Sequence, residues 1–166
     1  MPTSPKTTKS WTIRRGLPTD GAALLRVHSS AILAAQGRGY SQEQLESWVD
    51  GLLAERYGKA MTAGEEDFLV AISGHGTVIG FCSHHEDRVI GLYVDPDWSG
   101  RGIGSTLLRA AESSIAEQGH RECGLEAALP AVTFYESLGY RRVGERDVTT
   151  RGGLFVRVFD MTRHLR

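Results

Sequence analysis

Strand and helix signals alternate along this chain in the order β-α-α-β-β-β-α-β-α-β-β. That order predicts an α/β (α+β) fold: a mixed sheet of about seven strands with helices on both faces. Two further observations support the class. The 166 residues, 40% of them hydrophobic, suffice for one domain with a sizeable core and are too few for two. An apolar strand, Leu92-Tyr93-Val94, runs into a Gly-rich turn that opens directly onto an amphipathic helix.

Each element has its own signal. Trp11 to Arg15 alternates as a first strand, stopped by Leu17-Pro18-Thr19-Asp20, which offers an N-cap. Leu24, Leu25, His28, Ala31, Ile32 and Ala35 recur at helical spacing until Gly37-Arg38-Gly39. Ser41-Gln42-Glu43-Gln44 reads as a capping box. The helix it opens is expected to carry Leu45, Trp48, Val49, Leu52 and Leu53 on one face, with a loop over Gly58 to Gly64. Phe68 to Ile72 and Val78 to Ser83 form a hairpin around Ser73-Gly74-His75-Gly76. Arg88 to Val94 is the next strand. Ile103, Leu107, Leu108, Ala111 and Ile115 make one helical stripe, with Gly119 as its C-cap. A strand over Glu122 to Ala127 and a short helix over Ala131 to Leu138 follow. Tyr140 to Val148 and Leu154 to Met161 close the chain as a hairpin. Residues 1–10, polar with Pro2 and Pro5, read as a frayed tail, and 11–166 as a single domain.

Composition narrows the function. A net charge of −1 argues against a non-specific nucleic-acid binder, which would be strongly basic. No apolar run approaches the ~20 residues of a membrane span, and the N-terminus lacks the apolar centre of a signal peptide. Cys82 and Cys123 have no metal-type spacing, so no metal is expected, and both read as core residues of a cytoplasmic protein.

The turn Ser99-Gly100-Arg101-Gly102-Ile103-Gly104-Ser105 carries the chemistry. Its backbone N–H groups stand unscreened by side chains at the positive end of a helix dipole, which makes a phosphate site. A Walker A loop would need Gly-Lys-Ser/Thr, which is absent. The alternating Gly100, Gly102 and Gly104 do not fit G-x-G-x-x-G.

The turn and its strand resemble the acetyl-CoA signature of the GNAT superfamily of N-acetyltransferases, where a strand ending in V-x-P leads into Gln/Arg-x-x-Gly-x-Gly/Ala. A second block, Ala131, Phe134, Tyr135, Glu136, Gly139 and Tyr140, matches the family's A-x-x-F-Y-E-x-x-G-F/Y. The resemblance spans the chain after its tail. It implies a mainly antiparallel sheet whose strands splay at the Val94 end. It implies acetyl-CoA as cosubstrate, held by Leu92, Tyr93, Val94, Ser99, Gly100, Arg101, Gly102, Ile103, Gly104 and Ser105. It also implies a small-molecule or peptide amine as acceptor, and homodimers are common in the family. Two departures stand out: Ser99 replaces the usual Gln or Arg, and Ala128-Leu129-Pro130 replaces an Asn or Ser that contacts the pantetheine arm.

Acetyl transfer to an amine sets explicit demands. An alkylammonium of pKa about 10 must lose a proton. The thioester oxygen needs N–H donors as charge develops. The departing thiolate takes a proton from an acid. The resemblance assigns the polarising N–H to Val94 and the acid to Tyr135, with direct attack and no acyl-enzyme. Relatives carry an acid on the strand before V-x-P, but Val89-Ile90-Gly91 has none. Glu86, through a water, is the first choice for the base, with His84 and His85 beside it; a solvated hairpin tip is the competing reading. Tyr40 to Trp48 resembles a subgroup of small acetyltransferases, and Trp48 fits either a pocket wall or the core. Two other readings stay open: a non-catalytic acyl-CoA-binding module, and an enzyme using a longer acyl chain or an alcohol acceptor.

Overall fold

The computed structural model describes residues 10–166. The frayed-tail expectation, apart from Ser10, lies outside the described residues. Seven strands form one sheet: β1 (Trp11–Arg15), β2 (Asp67–Ser73), β3 (Val78–His85), β4 (Arg88–Val94), β5 (Glu122–Ala128), β6 (Arg141–Thr149) and β7 (Phe155–His164). Their order is β1-β2-β3-β4-β5-β7-β6. Every neighbouring pair is antiparallel except β4 and β5.

Helices cover both faces. On one, α1 (Gly21–Leu33) and α3 (Ala54–Thr62) bury Leu24, Val27, Tyr57 and Ala60 against Phe68, Val70 and Phe81. On the other, α4 (Ile103–Glu117) and α5 (Val132–Ser137) pack on Ala71, Cys82, Leu125 and Met161. The remaining helix, α2 (Gln42–Val49), lays Leu45 over Val156 and Val158 of β7. The Ser41 capping box forms as its sequence predicts: Gln44 N–H donates to Ser41 Oγ (3.1 Å), and Ser41 N–H to Gln44 Oε1 (2.9 Å). Glu112 of α4, though buried, accepts from Tyr140 Oη (2.8 Å) and Arg163 (2.7 Å), which ties α4 to β7.

One stretch departs from the sequence reading. Helix α2 stops at Val49, a turn through Gly51 follows, and Leu53 stands 62% exposed at the N-cap of α3. The expected loop over Gly58 to Gly64 is therefore mostly helix. Glycine at position 58 suggested a break. Instead it lets α3 lie directly on the Pro18 carbonyl, 2.9 Å from where a Cβ would stand.

Two irregularities in β4 shape the centre of the molecule. Gly91 pairs with Ser83 but Val89 with His84, so Ile90 is an extra residue, a β-bulge. The bulge puts Val89 and Leu92, three apart, on the same α4-facing side. Strands β4 and β5 then share a single register pair, Arg88 with Gly124, supported by Gly124 N–H donating to Asp87 O (2.9 Å). Beyond that pair the two strands part toward Val94.

Candidate active site

The turn from β4 into α4 is held from outside. Asp95 accepts from Asp97 N–H (3.0 Å) and from Arg26 of α1 (2.9 Å). Ser99 Oγ donates back to Pro96 O (2.7 Å), so this departure from the family pattern is used within the turn. Arg101 lies over the Trp98 ring at 4.5 Å and donates to Asp97 O. Gly100 and Gly102 take φ of 77° and 82°, the left-handed region that favours glycine. Among the described residues, no backbone N–H from Gly100 to Ser105 has a hydrogen-bond partner. The hydroxyls of Ser105 and Thr106 both donate to Gly102 O (3.0 and 2.8 Å), as does Thr106 N–H (3.1 Å), so the free amides end at Ser105. These residues fit a pyrophosphate: donors in a row, at a helix N-terminus, with no side chain in the way.

The parted strands add donors of a second kind. Asp95 N–H donates to Ile79 O of β3 (2.8 Å). Alternation along an extended strand therefore turns the Val94 and Leu92 N–H groups to the opposite edge, toward β5. There they meet no ladder, because β5 has already diverged.

Tyr135 lies across from this edge, buried in α5 with its ring edge-on to Phe134 (5.1 Å) and Tyr140 (5.6 Å). Burial pushes its phenol well above the ordinary tyrosine range, so it stays protonated at neutral pH. Its hydroxyl has no partner among the described residues and borders a cleft of about 490 Å³.

That cleft runs from the gap between β4 and β5 to the face under α1, α2 and α3. Leu92, Tyr93, Val94 and Ser99 line it beside Tyr135. His28 sits at its floor, its ring 4.0 Å from that of Tyr93, with Nδ1 2.8 Å from Tyr57 Oη. Burial, helped by Arg151 and Arg56, pulls the His28 pKa down to about 4, so it is neutral. Burial also raises Tyr57 and Tyr93 to about 12. Trp48 is half-buried, lines the cleft and packs edge-on to Tyr40 (5.5 Å), so it serves as wall and packing residue together. Tyr40 Oη accepts from Leu129 N–H (2.8 Å) and donates to Arg157 O (2.6 Å), fixing the Ala128-Leu129-Pro130 segment.

The histidine and carboxylate cluster expected to supply a base is not brought to Tyr135. Glu86 occupies the β3–β4 turn with its side chain 73% exposed, beyond the paired end of β4 and outside the cleft lining. The length of β4, about 20 Å at ~3.3 Å per residue, separates it from Val94. His85 is exposed beside it at 3.9 Å. His84 turns inward, buried, with Nδ1 unpartnered and its pKa lowered by burial. The carboxylates that do line the cleft are Glu66 and Glu126. Neither stands in a motif. Glu126 faces the cleft because Cys123, Leu125 and Ala127 alternate with it into the core. Glu66 arrives through the α3–β2 connection.

Comparison with known proteins matches this architecture. The profile of the acetyltransferase (GNAT) domain covers residues 37–163. An Escherichia coli protein, the uncharacterized N-acetyltransferase YafP, is 26% identical over 89% of this chain and 92% of its own. A GCN5-related N-acetyltransferase from Rhodopseudomonas palustris superposes with a TM-score of 0.86 at 28% identity, over 96% of this chain and 99% of that one. The PaiA N-acetyltransferase from Thermoplasma acidophilum, solved in complex with coenzyme A, shares the fold with a TM-score of 0.74 at 24% identity, over 94% and 99%. With its two signature blocks, its parted central strands and a profile match over most of its length, the chain belongs to the GNAT acetyltransferases.

Proposed function

We propose that the protein transfers an acetyl group from acetyl-CoA to a primary amine of a small molecule or peptide by direct attack. The observation that carries this reading is the run of unpartnered N–H groups from Gly100 to Ser105, beside a free β4 edge that shares one cleft with Tyr135. Acetyl-CoA supplies the activated acetyl thioester. Backbone donors from Gly100 to Ser105 receive its pyrophosphate. The N–H groups of Leu92 and Val94 face the parted edge, where they can hold the thioester oxygen as negative charge develops. Tyr135, kept protonated by burial, gives its proton to the departing thiolate. The acceptor enters from the α1, α2 and α3 side. Glu126 and Glu66 are the carboxylates available there to accept its proton, directly or through water, in place of the remote Glu86. Cys82 and Cys123, both buried free thiols, take no part and suit a reducing cytoplasm.

Release of CoA thiol on addition of a primary-amine panel tests the activity. Tyr135→Phe keeps the ring and removes only the proton donor. Its turnover should fall on the order of 10²-fold while CoA affinity holds. Full turnover in that variant would remove Tyr135 from the mechanism.

A further inference from the structure

The acceptor end of the cleft is cationic at its rim. Arg38 from the α1–α2 loop, Arg56 from α3 and Arg151 from the β6–β7 turn all line it. Among the described residues, none of the three has a carboxylate within ion-pair distance. Among the described residues, the side-chain hydrogen bond these three make is from Arg151 to Trp48 O, at 3.4 Å. Arg56 and Arg151 also meet in a side recess of about 370 Å³, bordered by Trp48, Thr149, Val156 and Glu126.

Arg151 is placed by a fixed turn. Gly152 N–H donates to Ser47 O of α2 (2.9 Å), and Thr150 Oγ1 bonds Ser47 Oγ while accepting from Leu154 N–H (3.0 Å). The turn lies so close to α2 that a Cβ on Gly152 would stand 2.5 Å from Ser47 Oγ and 3.0 Å from its Cα. The field of Arg151 and Arg56 reaches inward: after burial, these two charges are the influences that keep His28 neutral.

Across the recess the sign reverses. Glu126 shares Arg146 with Asp160, so two carboxylates meet one guanidinium and negative charge is left over at the β5 edge. Free guanidinium groups and surplus carboxylate thus border one small space that continues into the cleft holding Tyr135.

We propose that the acceptor is a small zwitterionic amine, an amino acid in the broad sense, with its carboxylate on Arg56 and Arg151 and its ammonium at Glu126. This assignment rests on the acetyl-transfer reading above. It excludes polycationic amines as preferred acceptors, because a second ammonium would meet the two arginines. A carboxylate suits paired guanidinium forks through charge-assisted hydrogen bonds.

The test compares the free L-amino acids with their methyl esters, their decarboxylated amines and spermidine, by CoA-thiol release. At least one amino acid should exceed both uncharged-end analogues and spermidine by about 10-fold or more in kcat/KM. R56Q and R151Q should each erase most of that preference, chiefly through KM. Gly152→Ala, which displaces the turn without touching an arginine, should erode it in the same direction. Calorimetry of the preferred acid with the CoA-loaded protein reads binding without turnover, and R151Q should weaken it by a similar factor. Release with spermidine or the uncharged amines at equal or better efficiency would overturn the zwitterion assignment and leave the acetyltransferase standing. Unchanged preference in both arginine variants would do the same. No release with any amine, despite acetyl-CoA binding, would overturn the transferase reading itself and this assignment with it.

Discussion

His28 shows how one side chain registers its surroundings. Its ring is enclosed by Tyr57, Phe81 and Tyr93, and its pKa is about 4 where an unfolded histidine titrates near 6.5. Between those values the unfolded chain binds the proton and the folded chain does not. Stability therefore falls as pH drops from about 6.5 toward 4, then levels off, for a total of about 3 kcal/mol. His28→Gln can keep the bond to Tyr57 and loses the titration. Its melting temperature should decline less than that of the parent between about pH 7 and pH 5. Equal declines in the two proteins would assign the acid sensitivity elsewhere. His28 was legible from its sequence only as a helix-face residue, because its partners Tyr57 and Tyr93 come from elements 29 and 65 positions away. Glu86 illustrates the converse. Nearness along the chain to an expected strand put it forward, and the direction of that strand takes it away from the cleft.

At the scale of elements, the turn from Ser99 to Ser105 is the part most fully dictated by local sequence. Gly102 is the N-cap of α4 at φ 82°, with its carbonyl receiving both Ser105 and Thr106 hydroxyls. Gly102→Asp adds a side chain in a disfavoured conformation and a negative charge at the proposed pyrophosphate position. Acetyl-CoA should raise the parent's melting temperature and leave this variant's unchanged, since a ligand stabilises only the fold that binds it. An equal shift in both would move the phosphate site away from this turn. Local sequence read β1 to β7, α1, α4 and α5 correctly: α1 and α4 each bury a regular apolar stripe, β3 is a continuous buried run, and the exposed β6 is marked by its hairpin turn rather than by a buried face. It missed α3, whose buried residues are only Tyr57 and Ala60 around a glycine. The turn residues Asp50 and Gly51 mark the break after α2, but Leu52 and Leu53 continue its apolar stripe past the true end.

At the scale of the molecule, the side of the cleft proposed to take the cofactor is drawn from residues the sequence singles out, and the side proposed to take the acceptor is not. The former lies in two contiguous motifs. The latter is gathered from α1, α3, the α3–β2 connection, β5 and the β6–β7 turn, and no spacing along a chain encodes that meeting. The same non-local assembly has a mechanical result. Four strands, β1 to β4, make one plate; β5, β7 and β6 make another; a single backbone register pair, Arg88 with Gly124, joins them along the seam. The amides of Leu92 and Val94 lie on that seam without a strand to shield them, and should exchange with solvent far faster than their neighbour Tyr93. Acetyl-CoA should slow both by on the order of 10-fold or more, with protection spreading into β5. Unaltered exchange at Leu92 and Val94 in the saturated protein would show that the ligand bridges nothing. A guest lodged in the seam does the work of a missing strand. The two plates, joined at the backbone by that one pair and otherwise by the core they share under α4, should then part less readily, and the grip on the cosubstrate becomes part of what holds the sheet shut.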